Sequence, residues 1–474
     1  MAYNAYITTL KNVRKHPNAD RLLLGECFGN TVCVGLDYTE GEIGVYLPVD
    51  GQLSEEFATV NNLVRKKDDA GNNIGGYMDP SKRNVQAIRL RGEKSDGLFL
   101  PLSCLEYTGV NFDDLNIGDA ITVVNGHEIC QKYIPRRNPS RRGERAGNKT
   151  RKKKVAISPL FAEHADTEQL AYNLGAFKVG DQIEITLKMH GTSQRTGYLP
   201  VFKGYKRTLL DRIFRREGTP IYDWGYVSGT RRTVLENYDG GYYGSNEFRE
   251  EHSKTFEGKL WKGEEIFYEV VGFTHTGTPI MATADNKKIN DKEFVKQYGK
   301  TTTFSYGCAP DGCHGTELLK MIIPNDKNEE AKIIREPQSD IYVYRMTMTN
   351  EDGQVIEYTP DFMRYRCEMM GIKCVPVFWQ GIIPEHPASK ADATIEPGEW
   401  VKNIAEKYYD GADPIGKTHI REGVVVRIVN RPKFTAYKHK NFSFKVLESI
   451  IKDVATAPDI EEAESYNAEE VENV

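Results

Sequence analysis

The sequence predicts an α+β fold in two parts, a small N-terminal β-barrel and a larger part in which strands and helices alternate. Three observations predict it. Residues 1–130 break into short apolar and β-branched pieces separated by Gly, Asn and Asp turns; Thr31–Val34, Gly44–Leu47 and Val85–Leu90 are typical. From about 156 to 455, period-2 strands are mixed with a helix whose two ends are both marked. Between them, residues 131–155 form a Lys- and Arg-rich stretch broken by Pro and Gly, the composition of a linker. The chain has 474 residues, is 39% hydrophobic and 28% charged, and carries a net charge of −5. That composition belongs to a globular protein. No apolar run approaches the roughly 18 residues of a membrane span, and Met1–Leu10 has no signal-peptide core. The eight cysteines show no C-x-x-C and no disulfide-framework spacing. A reducing, cytoplasmic compartment is expected (host cytoplasm if the chain is viral), as is a monomer with no membrane partner.

The first part suits a small barrel of the OB type, a recurrent nucleic-acid-binding scaffold. His16-Pro17-Asn18-Ala19-Asp20-Arg21-Leu22 resembles a signature of tRNA-binding OB modules. Residues 1–130 are therefore expected to be an OB-like nucleic-acid-binding domain. The 131–155 linker sets Lys132, Arg136, Arg137, Arg141 and seven further bases against the single acid Glu144. It reads equally as a solvated charge run and as a salt-dependent contact to a phosphate backbone. At the other end, residues 456–474 carry seven acids and no base, the composition of a disordered tail.

In the second part, Ile183, Ile185 and Leu187 alternate with Gln182, Glu184 and Thr186, the pattern of a half-buried strand. It runs into Lys188-Met189-His190-Gly191-Thr192, which displays an amine at a strand end; Gly191 would let a ligand come close to the backbone. Glu269 sits inside the apolar strand Ile266–Gly272, and Glu422 starts the β-branched run Gly423–Val426. Buried carboxylates need a partner or a task. Lys438 and Lys440 are two apart on Tyr437–Asn441, so on a strand they share a face. Asp340–Arg345 is aromatic-rich and could offer the Tyr342 or Tyr344 ring to a base. A helix is capped by Thr359, with Pro360 in its first turn and Gly371 after its last. Phe362, Tyr365, Met369 and Met370 are expected to face the core, with a strand following from Lys373 to Trp379 and Cys367 and Cys374 as packing residues. Cys308, Cys313 and His314 offer only three ligands, so zinc is not expected.

Taken singly, each of these polar residues has an ordinary explanation as a surface or edge-strand residue. Their order is more specific: K-x-H-G-T, then E-V-V-G, an aromatic strand, E-G-V-V-V and K-x-K-N. That series resembles the covalent nucleotidyltransferases, the superfamily of ATP-dependent RNA and DNA ligases and mRNA capping enzymes. Lys188 to Thr192 is similar to the first motif of RNA ligases, where DNA ligases and capping enzymes more often have Asp at the position of His190. Gly229-Thr230-Arg231-Arg232 resembles the arginine motif. Only 34 residues follow Lys440, too few for the C-terminal OB domain of DNA ligases and capping enzymes. The N-terminal barrel and the run Tyr46–Ser54 are similar to Deinococcus-type RNA ligases.

The resemblance implies that residues 156–455 form a nucleotidyltransferase (ATP-grasp-like ligase) domain of antiparallel sheets with flanking helices. It implies an ATP-dependent RNA ligase that uses Mg²⁺ or Mn²⁺ on RNA or a nicked RNA-containing duplex. The alternatives are a DNA ligase or guanylyltransferase, or a non-catalytic RNA-binding relative. Lys188 would form a lysyl-adenylate. Its ordinary pKa of ~10.4 leaves it protonated at neutral pH, so Lys438, Lys440 and the metal would have to lower it. Glu269 and Glu422 would ligate the metal or the ribose, Tyr342 (or Tyr344) would stack on adenine, and Arg231 would hold a phosphate. His190 and Gly191 would line the nucleotide site, with His190 bracing the turn.

Overall fold

The computed structural model describes residues 3–133 (except 68, 69 and 72), 157–274 (except 215, 217, 232, 236, 237 and 239–245), 280–281, 296, 320–322, 332–334, 339–388, 394–415 and 420–453. The basic stretch from 134 to 155, Arg232, the Cys308–Cys313–His314 group and the acidic tail lie outside these residues. The chain divides into two compact units, and residues 3–133 belong to the first.

The first unit is mostly sheet. Its strands are β1 (Ala5–Thr9), β2 (Lys11–Lys15), β3 (Leu23–Cys27), β4 (Asn30–Val34), β5 (Ile43–Leu47), β6 (Ala87–Leu90), β7 (Glu93–Asp96), β8 (Leu98–Pro101) and β9 (Ala120–Ile121). They form a four-stranded sheet β8-β5-β1-β9, a three-stranded sheet β2-β3-β4 and a hairpin β6-β7. Among the described residues these sheets do not close into one barrel. Their core holds Ala5, Ile7, Val45, Leu47, Leu53, Phe57 and Leu105. The His16-Pro17-Asn18 turn is a clasp within this unit. His16 Nδ1 accepts from the Asn18 N–H at 3.0 Å, which leaves Nε2 to donate to the Leu90 carbonyl at 3.0 Å.

The second unit is built on two five-stranded sheets. Its elements are β10 (Glu168–Gln169), β11 (Gln182–Leu187), β12 (Thr192–Lys206), β13 (Thr219–Gly229), α1 (Glu247–Lys254), β14 (Glu264–Gly272), β15 (Ser339–Thr349), β16 (Val355–Glu357), α2 (Pro360–Met370), β17 (Val377–Ile382), α3 (Pro397–Ala405), β18 (Gly423–Ile428) and β19 (Thr435–Lys440). One sheet has the order β10-β19-β18-β11-β17, the other β13-β12-β14-β15-β16. All pairings are antiparallel except β10 with β19. A last helix, α4 (Phe442–Asp453), starts two residues after β19 yet belongs to the first unit. There Lys445 Nζ bonds Asp96 at 2.6 Å, and the Arg89 and Lys94 cations sit over the Phe442 ring.

Three expectations change. Helix α2 has the predicted ends: Thr359 caps it by accepting from the Phe362 N–H, and Gly371 takes the left-handed φ of 71°. Its inward face, however, is Met363, Arg366, Cys367 and Met370. Phe362, Tyr365 and Met369 are exposed, because Arg366 turns inward to make a bidentate pair with the fully buried Glu264 at 2.7–2.8 Å. The strand expected from Lys373 begins only at Val377; upstream, Lys373 and Val375 exchange backbone hydrogen bonds with Val343. Strand β11 is not half-buried either. Its apolar residues Ile183 and Ile185 pack with Val401 and Ile404 of α3, while Glu184 and Thr186 are buried on the opposite face.

Candidate active site

That opposite face of β11 is the floor of a cleft. Residues directly across an antiparallel pair share a face, so register defines three rows. Glu184 lies beside Arg427 and Ala436, Thr186 beside Val425 and Lys438, and Lys188 beside Gly423 and Lys440, with the Lys188 N–H on the Gly423 carbonyl at 3.0 Å. The second sheet contributes Ser193, Glu269 and Tyr342, which are also a register row. Between the sheets is a cleft that is partly open to solvent. Lys188, Glu269 and Arg231 line it, together with Glu184, Tyr344 and His164. Leu187, Met189, Val375, Val425 and Phe434 supply apolar wall. Apolar wall with a few convergent charged groups is the lining of a small-molecule site.

At one end, three basic groups converge on Glu422. Lys188 Nζ is 2.6 Å from Oε1, Lys440 Nζ is 3.5 Å from the same oxygen, and His190 Nδ1 is 3.4 Å from Oε2. Burial pushes the Glu422 carboxyl up, but Lys188, Lys440 and His190 together outweigh it and hold the group well below the usual carboxylate range. Gly423 makes this packing possible: at φ 150° a Cβ would lie 2.2 Å from the His439 carbonyl. Gly191 has a related duty. A Cβ there would meet the Val270 carbonyl at 2.4 Å and Glu269 Cγ at 2.8 Å, so its missing side chain lets β14, rather than a ligand, come close.

At the other end the charges are arginine pairs. Glu184 Oε2 accepts from Arg364 Nη1 and Gln380 Nε2, each at 2.6 Å. Glu357 takes Arg345 Nε at 3.0 Å and Nη2 at 2.9 Å, and Arg427 Nη2 at 3.2 Å. Phe434 lies beneath both guanidiniums, 4.7 Å from Arg345 Cζ and 5.1 Å from Arg427 Cζ. Above, Arg231 Nη1 reaches Asp166 at 3.3 Å, and the Arg231 carbonyl accepts from the His164 N–H. Burial, then the nearby Arg231 and Arg345 charges, push the His164 imidazole down to about 3, so it is neutral at physiological pH.

The structure thus brings Lys188, His190, Glu422 and Lys440 into one contact group and sets Glu269 and Arg231 on the same cavity wall. Lys438 joins through its row with Val425. Tyr344 lines the cavity, with its hydroxyl 2.8 Å from Ser193 Oγ. Tyr342 and Tyr344 both pack with Leu187, Met189, Val271 and Val375, and Tyr342 shares its register row with Ser193 and Glu269. Sequence reasoning passed over His164, Glu184, Arg427 and Phe434, which belong to no motif. Among the described residues, no three or more His, Cys, Asp or Glu side chains are grouped to hold a metal ion. A divalent cation would therefore be held by one or two carboxylates plus phosphate oxygens and water, as Mg²⁺ commonly is. Glu269 and Glu422 are the candidates.

Two sheets face this cleft, and Lys188 follows directly where β11 ends. No protein-family model matches the chain, and no curated protein does. Solved structures do. The RNA ligase of Naegleria gruberi, in a lysine variant with ATP and Mn, aligns at 15% identity and TM-score 0.50 over 94% of this chain and 98% of that one. An aspartate variant of the same ligase without ligand aligns at 15% identity and TM-score 0.51 with the same coverage. The form with pyrophosphate aligns at 15% and 0.50, over 93% and 97%. At that identity the likeness establishes the fold.

Proposed function

We propose that this chain is an ATP-dependent RNA ligase that joins 3′-OH and 5′-phosphate ends. The observation that carries the proposal is Lys188. It stands on the cavity wall, in contact with Glu422 and close to Lys440, in a fold shared with a ligase determined with ATP, with AMP and with pyrophosphate. Lys188 Nζ attacks the α-phosphorus of ATP; a P–N bond forms and pyrophosphate leaves. The adenylyl group then moves to the 5′-phosphate of an RNA strand, and a 3′-OH displaces AMP.

The contact group adds a step that the sequence did not suggest. An ammonium held by a carboxylate at 2.6 Å has no lone pair to offer, so Lys188 must first part from Glu422 and pass its proton to solvent water, which its partly exposed side chain reaches. Lys440 already touches the same oxygen and takes over Glu422 as Lys188 turns to the nucleotide. Lys438 and Arg231 neutralise phosphate charge, and a bound divalent cation would add to that field. The base lies between Tyr344 and the apolar wall of Leu187, Val375 and Val425. The first unit, read as an OB-type domain as in the Deinococcus-type arrangement, grips RNA, and the protein works as a cytoplasmic monomer.

Incubation with labelled ATP and Mn²⁺, followed by a denaturing gel, tests the first step. Wild-type protein should retain label and Lys188→Ala should not. Absence of label on the wild type, or label on Lys188→Ala, overturns the reading.

A further inference from the structure

Strands β12 and β13 are much longer than the sheet they belong to. Strand β14 pairs with β12 only from Thr192 to Gly197, yet the β12–β13 ladder continues to Lys206 and Thr219. Beyond Gly197 the pair is a two-stranded ribbon. One face is covered: Leu199 and Val201 pack with Ile157, Leu160 and Phe161. The other carries a continuous row of rings. Tyr198 stacks on Tyr226 with centroids 4.7 Å apart and lies 5.9 Å from Trp224. Phe202 follows, 5.9 Å from Tyr222 and 5.1 Å from Tyr205. Register explains the row, because Tyr198↔Tyr226, Pro200↔Trp224 and Phe202↔Tyr222 are direct partners. All six rings are half-buried, so each keeps part of its surface open.

Cations accompany the row. Lys203, Lys206 and Arg207 are exposed along the ribbon, and Lys262 Nζ sits over the Trp224 ring at 5.3 Å. Between Val201 and Gly225 the sequence has six Lys and Arg against three Asp and Glu. A ribbon needs only one or two aromatic cross-strand pairs to hold its register. Tyr198 and Tyr226 also pack against the core of the second sheet. That leaves Trp224, Phe202, Tyr222 and Tyr205 among cations, the combination that binds single strands, in which bases stack on π-faces while phosphates meet positive charge.

We propose that the aromatic face of the β12–β13 ribbon is a binding platform for single-stranded RNA, separate from the nucleotide cleft. Ser193 lines the cleft on the opposite face of the same strand, nine residues before Phe202, so the platform's far end is about 30 Å away along β12. It therefore holds the strand at a distance from the ends being joined. The choice of RNA rests on the ligase reading; the platform itself does not.

The test uses full-length Lys188→Ala protein, so that binding is read without catalysis. Anisotropy with a fluorescent single-stranded RNA would be compared with the same protein carrying Phe202→Leu and Tyr222→Leu. Leucine keeps apolar packing in the ribbon but removes the stacking surface. Affinity should fall about tenfold per position. Lys203→Ala should weaken binding and lower the salt dependence by about one counterion. Tyr222→Phe should restore affinity, which a loss of folding would not allow. Unchanged affinity in the double leucine variant, or equal loss with Tyr222→Phe, overturns the platform. If the wild type forms no adenylate but the leucine variant loses RNA affinity, the ligase reading falls and the platform stands.

Discussion

The two ends of the cleft hold carboxylates in different ways. At the Lys188 end a single carboxylate, Glu422, is shared by two lysines and a histidine at 2.6–3.5 Å, and Lys188 keeps about a fifth of its side chain exposed. At the Phe434 end Glu357 is gripped by two guanidiniums, all three groups about nine-tenths buried or more. Arginine is permanently charged and planar, so its pairs fix geometry; lysine is a mobile point charge that can give up its proton. The cleft therefore has a rigid end, built to hold shape, and an exchangeable end, where a partner can change.

Substitutions can break or sharpen that contrast. The largest effect should come from Lys188→Arg, which keeps the charge beside Glu422 but supplies no amine; covalent labelling by ATP should vanish while folding, followed by circular dichroism, is retained. Next is Glu357→Gln. Leaving Arg345 and Arg427 buried without their anion should cost about 3–5 kcal/mol in denaturant unfolding. Glu422→Gln should cost less stability, because Lys188 reaches solvent, but should abolish labelling. If Glu422→Gln proves the more destabilising, the division into rigid and exchangeable ends is wrong.

A smaller effect belongs to Glu184. Its two hydrogen bonds both fall on Oε2, and its carboxylate faces the cavity. A carboxylate accepts from the amino group of adenine and repels the oxo group of guanine. Glu184→Gln should reduce the preference for ATP over GTP about tenfold, as the loss of one charged hydrogen bond implies, read from competitive labelling. The smallest effect is on pH dependence. His164 is held neutral, with its value lowered from 6.5 to about 3. The unfolded chain therefore binds the extra proton first, and stability falls as pH drops from 6.5 towards 3. His164→Phe keeps a ring against Phe267 and Tyr344 and should flatten that part of the stability profile.

The exchangeable end was legible in the sequence because its residues follow one another in family order. The rigid end was not. Glu184 reads as an outward polar residue of an alternating strand, and its partners Arg364 and Gln380 are 180 and 196 positions away. Helix α2 shows the same limit: its ends are local signals and were found, but its inward face depends on the pairing of Arg366 with Glu264, 102 positions away. β14 and β15 slip register between Phe267 and Tyr268, an irregularity no local pattern announces.

The placement of α4 has a consequence for how the chain is made. Lys445 closes onto Asp96 across 349 positions, so part of the first unit is supplied by a segment synthesised far later than the rest of it. The first unit must wait, with the surface around Asp96 and β6 uncovered, until α4 has been synthesised. Contacts of such long sequence separation form late and slowly. Truncation after Asn441, which spares Lys188, His190, Glu422 and Lys440, should therefore damage the first unit.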